Sequence, residues 1–370
     1  MSNAFRELLK KVGSGVHTGK DLSREEAATA TRMMLEAQAT PAQIGAFLIA
    51  HRIKRPTSEE IAGMLDAYEQ LGPTLQPLSQ ENGQFSIKSF SGPVTVFGTP
   101  YDGRSRTAPV TPITALILAT AGVPVLMHGS DCMPTKYGVP LIELWQGLGV
   151  DFSKLSLFQV QQLLETTGLG FIYLPNHFPQ AQGLVPYRDQ IGKRPPAATM
   201  ELIWSPYAGD VHVIAGYVHP PTENRFIETL KHRGITHFTL VKGLEGSFDL
   251  SRDRTAIIAL SQPGEGSDFE RLLLHPRDYG FAGTDVPLES TTQLLEQMQG
   301  VLQGKSSELM LTAIWNSGFY LWRCGVCPDL PTGFAQAEAL CVRGAVIQKL
   351  EEVKKAIASS NSLISLLKSF

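Results

Sequence analysis

A chain of 370 residues, 43% hydrophobic and 18% charged, is long enough for two domains around a large core. Its net charge of −3 gives no general attraction for a polyanion, so any nucleic-acid binding has to come from local patches. Four cysteines fit a reducing compartment, no apolar run approaches a membrane span, and Met1–Lys11 has no signal-peptide core, so a cytoplasmic protein without a membrane partner is expected.

The chain opens with helices. Phe5, Leu8, Leu9 and Val12 share one face, and Gly13 ends the segment. Ser23-Arg24-Glu25-Glu26 is a capping box that starts a helix through about Ala37. Thr40-Pro41 begins another, with Ile44, Phe47, Leu48 and His51 on one stripe, and Thr57 with Glu60 caps a fourth that runs to Gly72-Pro73. Ile44, Phe47 and Leu48 offer more apolar face than one small module can bury, which predicts a homodimer through these helices. Leu75–Ser91 is polar and turn-rich, as suits a linker.

Val94–Phe97 reads as a buried strand, and Gly98 and Gly103 mark the turn after it. Thr111 and Pro112 make an N-cap and first-turn pair for the helix Ile113–Ala121. Val123–Met127 is a second strand, ending at His128-Gly129. Such a βαβ unit holds its ligands at the carboxyl ends of the strands, facing a helix N-terminus that favours anions. Helices follow at Leu141–Leu148 and Leu157–Thr166, the latter capped by Ser156, then a strand at Phe171–Leu174 and mostly helix over Phe178–Gln190. Val211–Tyr217, His237–Lys242 and Thr255–Leu260 read as strands, with a helix Glu223–Arg233 between the first two. The last third is helical: Leu288–Val301, Ser306–Trp322 and Phe334–Ala358. The fold class is α/β, a small N-terminal helical domain plus a larger domain with a mostly parallel sheet.

The loops Gly98-Thr99-Pro100-Tyr101-Asp102-Gly103 and Met127-His128-Gly129-Ser130 resemble those of the anthranilate phosphoribosyltransferase family of glycosyltransferases, which reads Gly-Thr-Gly-Gly-Asp-Gly and Lys-His-Gly-Asn there. Gln43–Leu48 and Glu59–Gly63 resemble the family's N-terminal signature. The resemblance implies the nucleoside phosphorylase/phosphoribosyltransferase-like fold. In it, residues 1–74, joined by part of 155–190, form the dimer interface and half of the cleft, and residues 90–370 form the domain with the anion-binding loops. It implies that Gly98, Thr99, Asp102, Gly103, Thr111, His128, Gly129, Thr135 and Lys136 hold the phosphate-bearing donor, phosphoribosyl pyrophosphate, and that His177, Arg188 and Arg194 lie on the acceptor side.

The departures bear on chemistry. Pro100 has no N–H for phosphate, and Tyr101 is bulky where the family has glycine. Of the family's Asn-x-Ser-Thr, aligned with Ala108, Val110 and Thr111, only the threonine remains. The family's adjacent Asp-Glu magnesium ligands are replaced by Val241-Lys242-Gly243-Leu244-Glu245-Gly246-Ser247-Phe248-Asp249, in which the two carboxylates are separated and Lys242 would repel the ion. No metal ligands are assigned, and magnesium is expected only if the chain is an enzyme. Tyr101–Arg106, Thr111-Pro112 and Lys242–Gly246 resemble a second, site-altered bacterial branch of the family, at least some of whose members look like non-catalytic, dimeric nucleic-acid binders.

Two readings follow. In one, a weakly or non-catalytic paralogue binds nucleic acid through Arg52, Lys54 and Arg55, through Arg104 and Arg106 at the cleft mouth, and through Lys242 inside. In the alternative, the chain transfers 5-phosphoribosyl to anthranilate or a related aromatic acceptor in tryptophan biosynthesis. The losses favour the first. Cys324-Gly325-Val326-Cys327 has redox or zinc half-site spacing but no second pair, and a plain turn is expected there.

Overall fold

The computed structural model describes residues 3–15, 17–78, 92–261 and 269–367, with side chains through residue 360. Four helices come first: α1 (Asn3–Gly13), α2 (Arg24–Leu35), α3 (Pro41–Lys54) and α4 (Ser58–Leu71). Ser23 and Glu26, Thr40 and Gln43, and Thr57 and Glu60 close reciprocal capping boxes at the starts of α2, α3 and α4. The ring of Phe5 packs on Phe47 with centroids 5.3 Å apart. Ile44, Phe47 and Leu48 are 2%, 2% and 4% exposed within the single chain. Their apolar face is therefore covered internally, and the argument for a homodimer that relied on it falls away.

The linker expected over Leu75–Ser91 divides in two. Leu75 is bridged to Tyr207, donating from its N–H to Pro206 O and accepting from Ala208 N. Residues 79–91 lie outside the described residues.

The second unit contains β1 (Val94–Gly98), α5 (Thr111–Thr120), β2 (Val125–Gly129), α6 (Leu141–Gly147), α7 (Leu157–Thr167) and β3 (Leu169–Tyr173). After them come α8 (Leu174–His177), α9 (Pro179–Gln182), α10 (Val185–Gln190) and α11 (Ala197–Met200), then β4 (Val211–Gly216), α12 (Pro220–His232) and β5 (Phe238–Val241). β6 (Ala256–Ser261), β7 (Phe269–Leu274), α13 (Thr291–Leu302), α14 (Glu308–Arg323), α15 (Leu330–Val342) and α16 (Ala345–Leu367) complete the chain. The sheet runs β3-β2-β1-β4-β5-β6-β7, with β1 to β5 parallel and the β5–β6 and β6–β7 pairs antiparallel. β1, β2 and the apolar α5 are buried along almost their full length, as a central crossover unit requires.

Several boundaries differ from the sequence reading. Residues 178–190 form two short helices, because Pro179 and Pro186 each start a new turn rather than continue one. The last helix divides at Gly344, whose positive φ breaks α15 from α16. β7 carries mixed polar and apolar residues on an edge, and the alternation signal for it is weak. Thr111 is the first residue of α5 and not its cap; Val110, whose side chain has no polar atom to cap with, precedes it, and the Thr111 hydroxyl donates to Asp249 at 3.4 Å.

Two clusters of contacts dock the helical unit on the α/β unit, beside the bond from Arg52 to Arg194 O. Arg24 and Arg233 both grip Asp66, tying α2 and α4 to the end of α12. Tyr68 meets Phe178 and Trp204 edge-on at 5.0 and 5.6 Å. Residues 174–204 thus lie between the helices and the carboxyl end of β1.

Candidate functional site

Two loops leave the central strands, residues 99–110 after β1 and 130–140 after β2, and the chain zips them together. Arg104 and Val139 exchange backbone bonds at 3.2 and 2.7 Å, and Gly138 N–H donates to Asp102 O at 2.9 Å. Gly103 lies at φ +71°, and an added Cβ there would fall 2.4 Å from Val139 O. Gly98 has no spare volume either: its Cβ would fall 1.7 Å from the carbonyl oxygen of Leu202. Both glycines are needed for backbone approach within the chain itself.

Thr99, Asp102, Thr111 and His128 are buried at the same end of the sheet, with Gly129 beside them. Tyr101, the bulky departure, is itself 5% exposed and hydrogen-bonds to His128 Nδ1 at 2.6 Å. Burial pushes the His128 imidazole down to about 3 and the Tyr101 phenol well up, so both are neutral at physiological pH. Thr135 and Lys136 are half-buried. Lys136 Nζ donates to Gly103 O at 3.0 Å and pairs with Glu245.

Glu245 is held by more partners than any other carboxylate in this region. It accepts from the N–H groups of Ser105, Arg106 and Thr107 at 3.2, 3.0 and 3.0 Å, from Thr107 Oγ1 at 2.9 Å and from Arg104 Nε at 3.3 Å. Burial alone would raise its carboxyl, but Lys136 first, then Arg104 and the Arg106 N–H, hold it well below the usual carboxylate range. Its own backbone lies at φ +54°, ψ 23°, left-handed space that costs a residue with a Cβ roughly 1–2 kcal/mol. Arg104 also reaches Asp249 at 2.9 Å and Ser247 Oγ at 2.8 Å and is 3% exposed. The expectation that Arg104 stands at the cleft mouth is therefore corrected: it is an interior strut. Arg106, with a side chain 78% exposed, is at the surface.

The acceptor side is paired in the same way. Arg188 is 4% exposed, and its guanidinium is bidentate to Glu201, with Nη1 at 3.0 Å from one oxygen. Burial works against the Arg188 charge, and Glu201 more than restores it. Arg194 forms a second bidentate pair with Asp102, Nε at 3.1 Å, across the cleft from one loop to the segment after α10. His177 stands apart: Nδ1 accepts from Tyr173 N–H at 3.0 Å and Nε2 lies 2.8 Å from Leu155 O, so both ring nitrogens are used in fixing α8. The sequence reading passed over Glu201, although an acid inside Met200-Glu201-Leu202-Ile203-Trp204 signals a buried charge that needs a partner.

The remaining cations are mostly committed. Arg52 donates to Arg194 O at 2.5 Å, and Lys54 binds Asp21 and Glu60 at 2.5 and 2.7 Å. Arg55 is exposed, and Lys242 is half-buried after β5. For magnesium the residues do not fit. Among the described residues no group of three or more His, Cys, Asp or Glu could hold a metal ion, and Glu245 is paired with Lys136 and Arg104, and Asp249 with Arg104. Thr99, Pro100, Arg104, Thr111 and Ser247 line a cavity of about 20 Å³, room for a single water. Among the described residues no helix is long and apolar enough to cross a membrane.

Comparison with known proteins accounts for this layout. Residues 6–72 match the family model for the glycosyl transferase helical bundle domain and residues 94–347 that for the glycosyl transferase a/b domain. An anthranilate phosphoribosyltransferase of Rhodopseudomonas palustris is 29% identical over 97% of this chain and 99% of its own length. One from Chromobacterium violaceum is 27% identical over 90% of this chain and 94% of its own. Among solved structures, the Thermus thermophilus anthranilate phosphoribosyltransferase superposes with TM-score 0.75 at 20% identity, over 96% of this chain and all of that one. The Saccharomyces cerevisiae enzyme, solved in complex with phosphoribosyl pyrophosphate and magnesium, gives 0.76 at 16% identity, over 96% and 98%. Matched by both models and by relatives along nearly its whole length, the chain belongs to glycosyl transferase family 3 and is a homologue of the anthranilate phosphoribosyltransferases.

Proposed function

We propose that the cleft between loops 99–110 and 130–140 and the segment 188–204 takes a phosphoribosyl pyrophosphate-class donor and an aromatic acceptor of the anthranilate class, and that the chain transfers the phosphoribosyl group between them. The observation that carries this is end-to-end homology to proteins of that activity, with the two anion loops in family order, the first leading into α5 and the second following β2. This reverses the ranking that the loop substitutions alone suggested. Residues 1–74 with part of 155–190 form one wall of the cleft, and residues 90–370 the other.

Catalysis would be positioning plus charge stabilisation. Backbone N–H groups of the 105–107 turn, with Lys136, would bear on the phosphates, and Arg188 and Arg194 on the acceptor. No step is routed through magnesium, because Glu245 and Asp249, the two carboxylates of the 241–249 stretch, are each paired with a cation of the chain. Each lost charged hydrogen bond is worth ~1.5–3 kcal/mol, so two or three losses slow transfer by about 10²-fold or more. Incubation with phosphoribosyl pyrophosphate and anthranilate, followed by loss of anthranilate fluorescence, should show slow turnover that changes little across a magnesium series. No turnover and no donor binding by calorimetry would overturn this reading.

A second reading, binding without transfer, is favoured by one observation: Arg188, Arg194 and Arg104 are all neutralised by carboxylates of the chain itself. Nucleic acid as the ligand has less support, since of its six cations Arg52, Lys54 and Arg104 are committed to partners within the chain and Arg106 lies 3.7 Å from Glu245, which leaves Arg55 and Lys242.

A further inference from the structure

Glu245 is a puzzle for any reading in which the cleft binds phosphate. Three successive backbone N–H groups, Ser105 to Thr107, converge on its carboxylate. Such a concave run of amides is the backbone device that holds phosphate groups. Lys136 and Arg104 close it from two sides, and the Arg106 guanidinium lies 3.7 Å away on the solvent side. Counted as charges, three cations surround Glu245 and Asp249, an excess of one that a phosphate dianion in place of Glu245 would balance. The residue that fills the cradle arrives on a 3₁₀ turn between Gly243 and Gly246, in left-handed backbone that glycine, and not glutamate, prefers. The neighbouring cavity is too small for a sugar phosphate. The cradle is therefore built for an anion, held by a strained residue, and closed.

We propose that Glu245 is a built-in occupant of a phosphate cradle. The resting chain is self-inhibited by the Glu245 carboxylate on the 105–107 amides, and a phosphate or pyrophosphate group displaces it by a swing of the Gly243–Gly246 turn. The inference rests on the reading that this cleft takes a phosphoribosyl donor, and it names the residue that regulates entry. No bond is made or broken; one anion replaces another on the same donors.

Glu245→Asn tests it. Asparagine tolerates the left-handed backbone, is neutral, and is one methylene shorter. Calorimetry with inorganic pyrophosphate should show binding at least tenfold tighter in Glu245→Asn than in the unaltered protein, and Lys136→Met added to it should remove the gain. Glu245→Gly, which relieves the strain outright, should behave like Glu245→Asn and covers the case in which the asparagine variant misfolds. Equal pyrophosphate affinity in the unaltered and substituted proteins would overturn the inference and make Glu245 a plain strut. Tighter pyrophosphate binding without turnover of phosphoribosyl pyrophosphate would uphold the cradle and sink the transferase reading instead.

Discussion

The guanidinium of Arg188 on α10 lies against the carboxylate of Glu201, thirteen residues further on, and neither group reaches solvent. A carboxylate supplied by the chain thus occupies the arginine that family resemblance assigns to the acceptor. Removing one partner of a buried pair leaves the other uncompensated, at a cost of about 3–5 kcal/mol. Glu201→Gln should therefore lower stability by about that much, and millimolar anthranilate should then raise the melting temperature of the variant but not of the unaltered protein. Scanning calorimetry reads both effects. If anthranilate stabilises neither protein, Arg188 is not an acceptor ligand.

Arg104 and Arg106, two residues apart, should behave in opposite ways. Arg104→Met strands Asp249 and weakens the hold on Glu245, so a loss of about 3 kcal/mol in urea denaturation is expected. Arg106→Ala, at the surface, should change stability by less than about 0.5 kcal/mol. A nucleic-acid test should therefore use Arg106→Ala with Arg55→Ala, because loss of binding in an Arg104 variant would report unfolding. Oligonucleotide affinity that is unchanged by the double substitution across a salt series would remove these arginines from consideration.

Glu60 sets the acid limit of the helical unit. It is fully buried, accepts from Leu22 N–H at 2.9 Å, Thr57 N–H at 2.7 Å and Lys54 Nζ at 2.7 Å, and lies 3.5 Å from His51 Nε2. Burial would raise its carboxyl, but His51, the Leu22 N–H and Lys54 outweigh that and bring it down to about 2. Its folded pKa lies below the unfolded value of 4.5, so the contribution is complete above about pH 5 and is lost as pH falls toward 2. The shift corresponds to roughly 3 kcal/mol. Stability measured from pH 6 to 2.5 should fall less steeply in Glu60→Gln, which starts lower, than in the unaltered protein. Parallel curves would show that another carboxylate governs acid unfolding.

The layout was readable from residue pattern where one local rule decides it. The capping boxes at Ser23 and Thr57 and the βαβ unit around α5 needed only spacing and propensity. What escaped depends on contacts far along the chain. Arg104 reads as a surface cation until Asp249, 145 positions away, is brought beside it, and Ile44, Phe47 and Leu48 read as an unpaired face until α1 folds over them. The Glu245 motif reads as a ruined metal site; only the three-dimensional course of residues 105–107 turns it into an anion held by amides.

Gly98 carries a consequence for how such a protein could change. Its α-carbon faces Leu202 O so closely that a methyl group cannot enter, and Leu202 follows Glu201 directly. The strand that delivers one half of the cleft is thereby keyed to the turn that delivers the other. A substitution that reshapes the first loop through Gly98 would displace the Arg188–Glu201 pair as well, so mutations on the two sides should show strong epistasis. Selection for a new acceptor would have to proceed through paired changes, with single ones filtered out by misfolding before they could alter specificity.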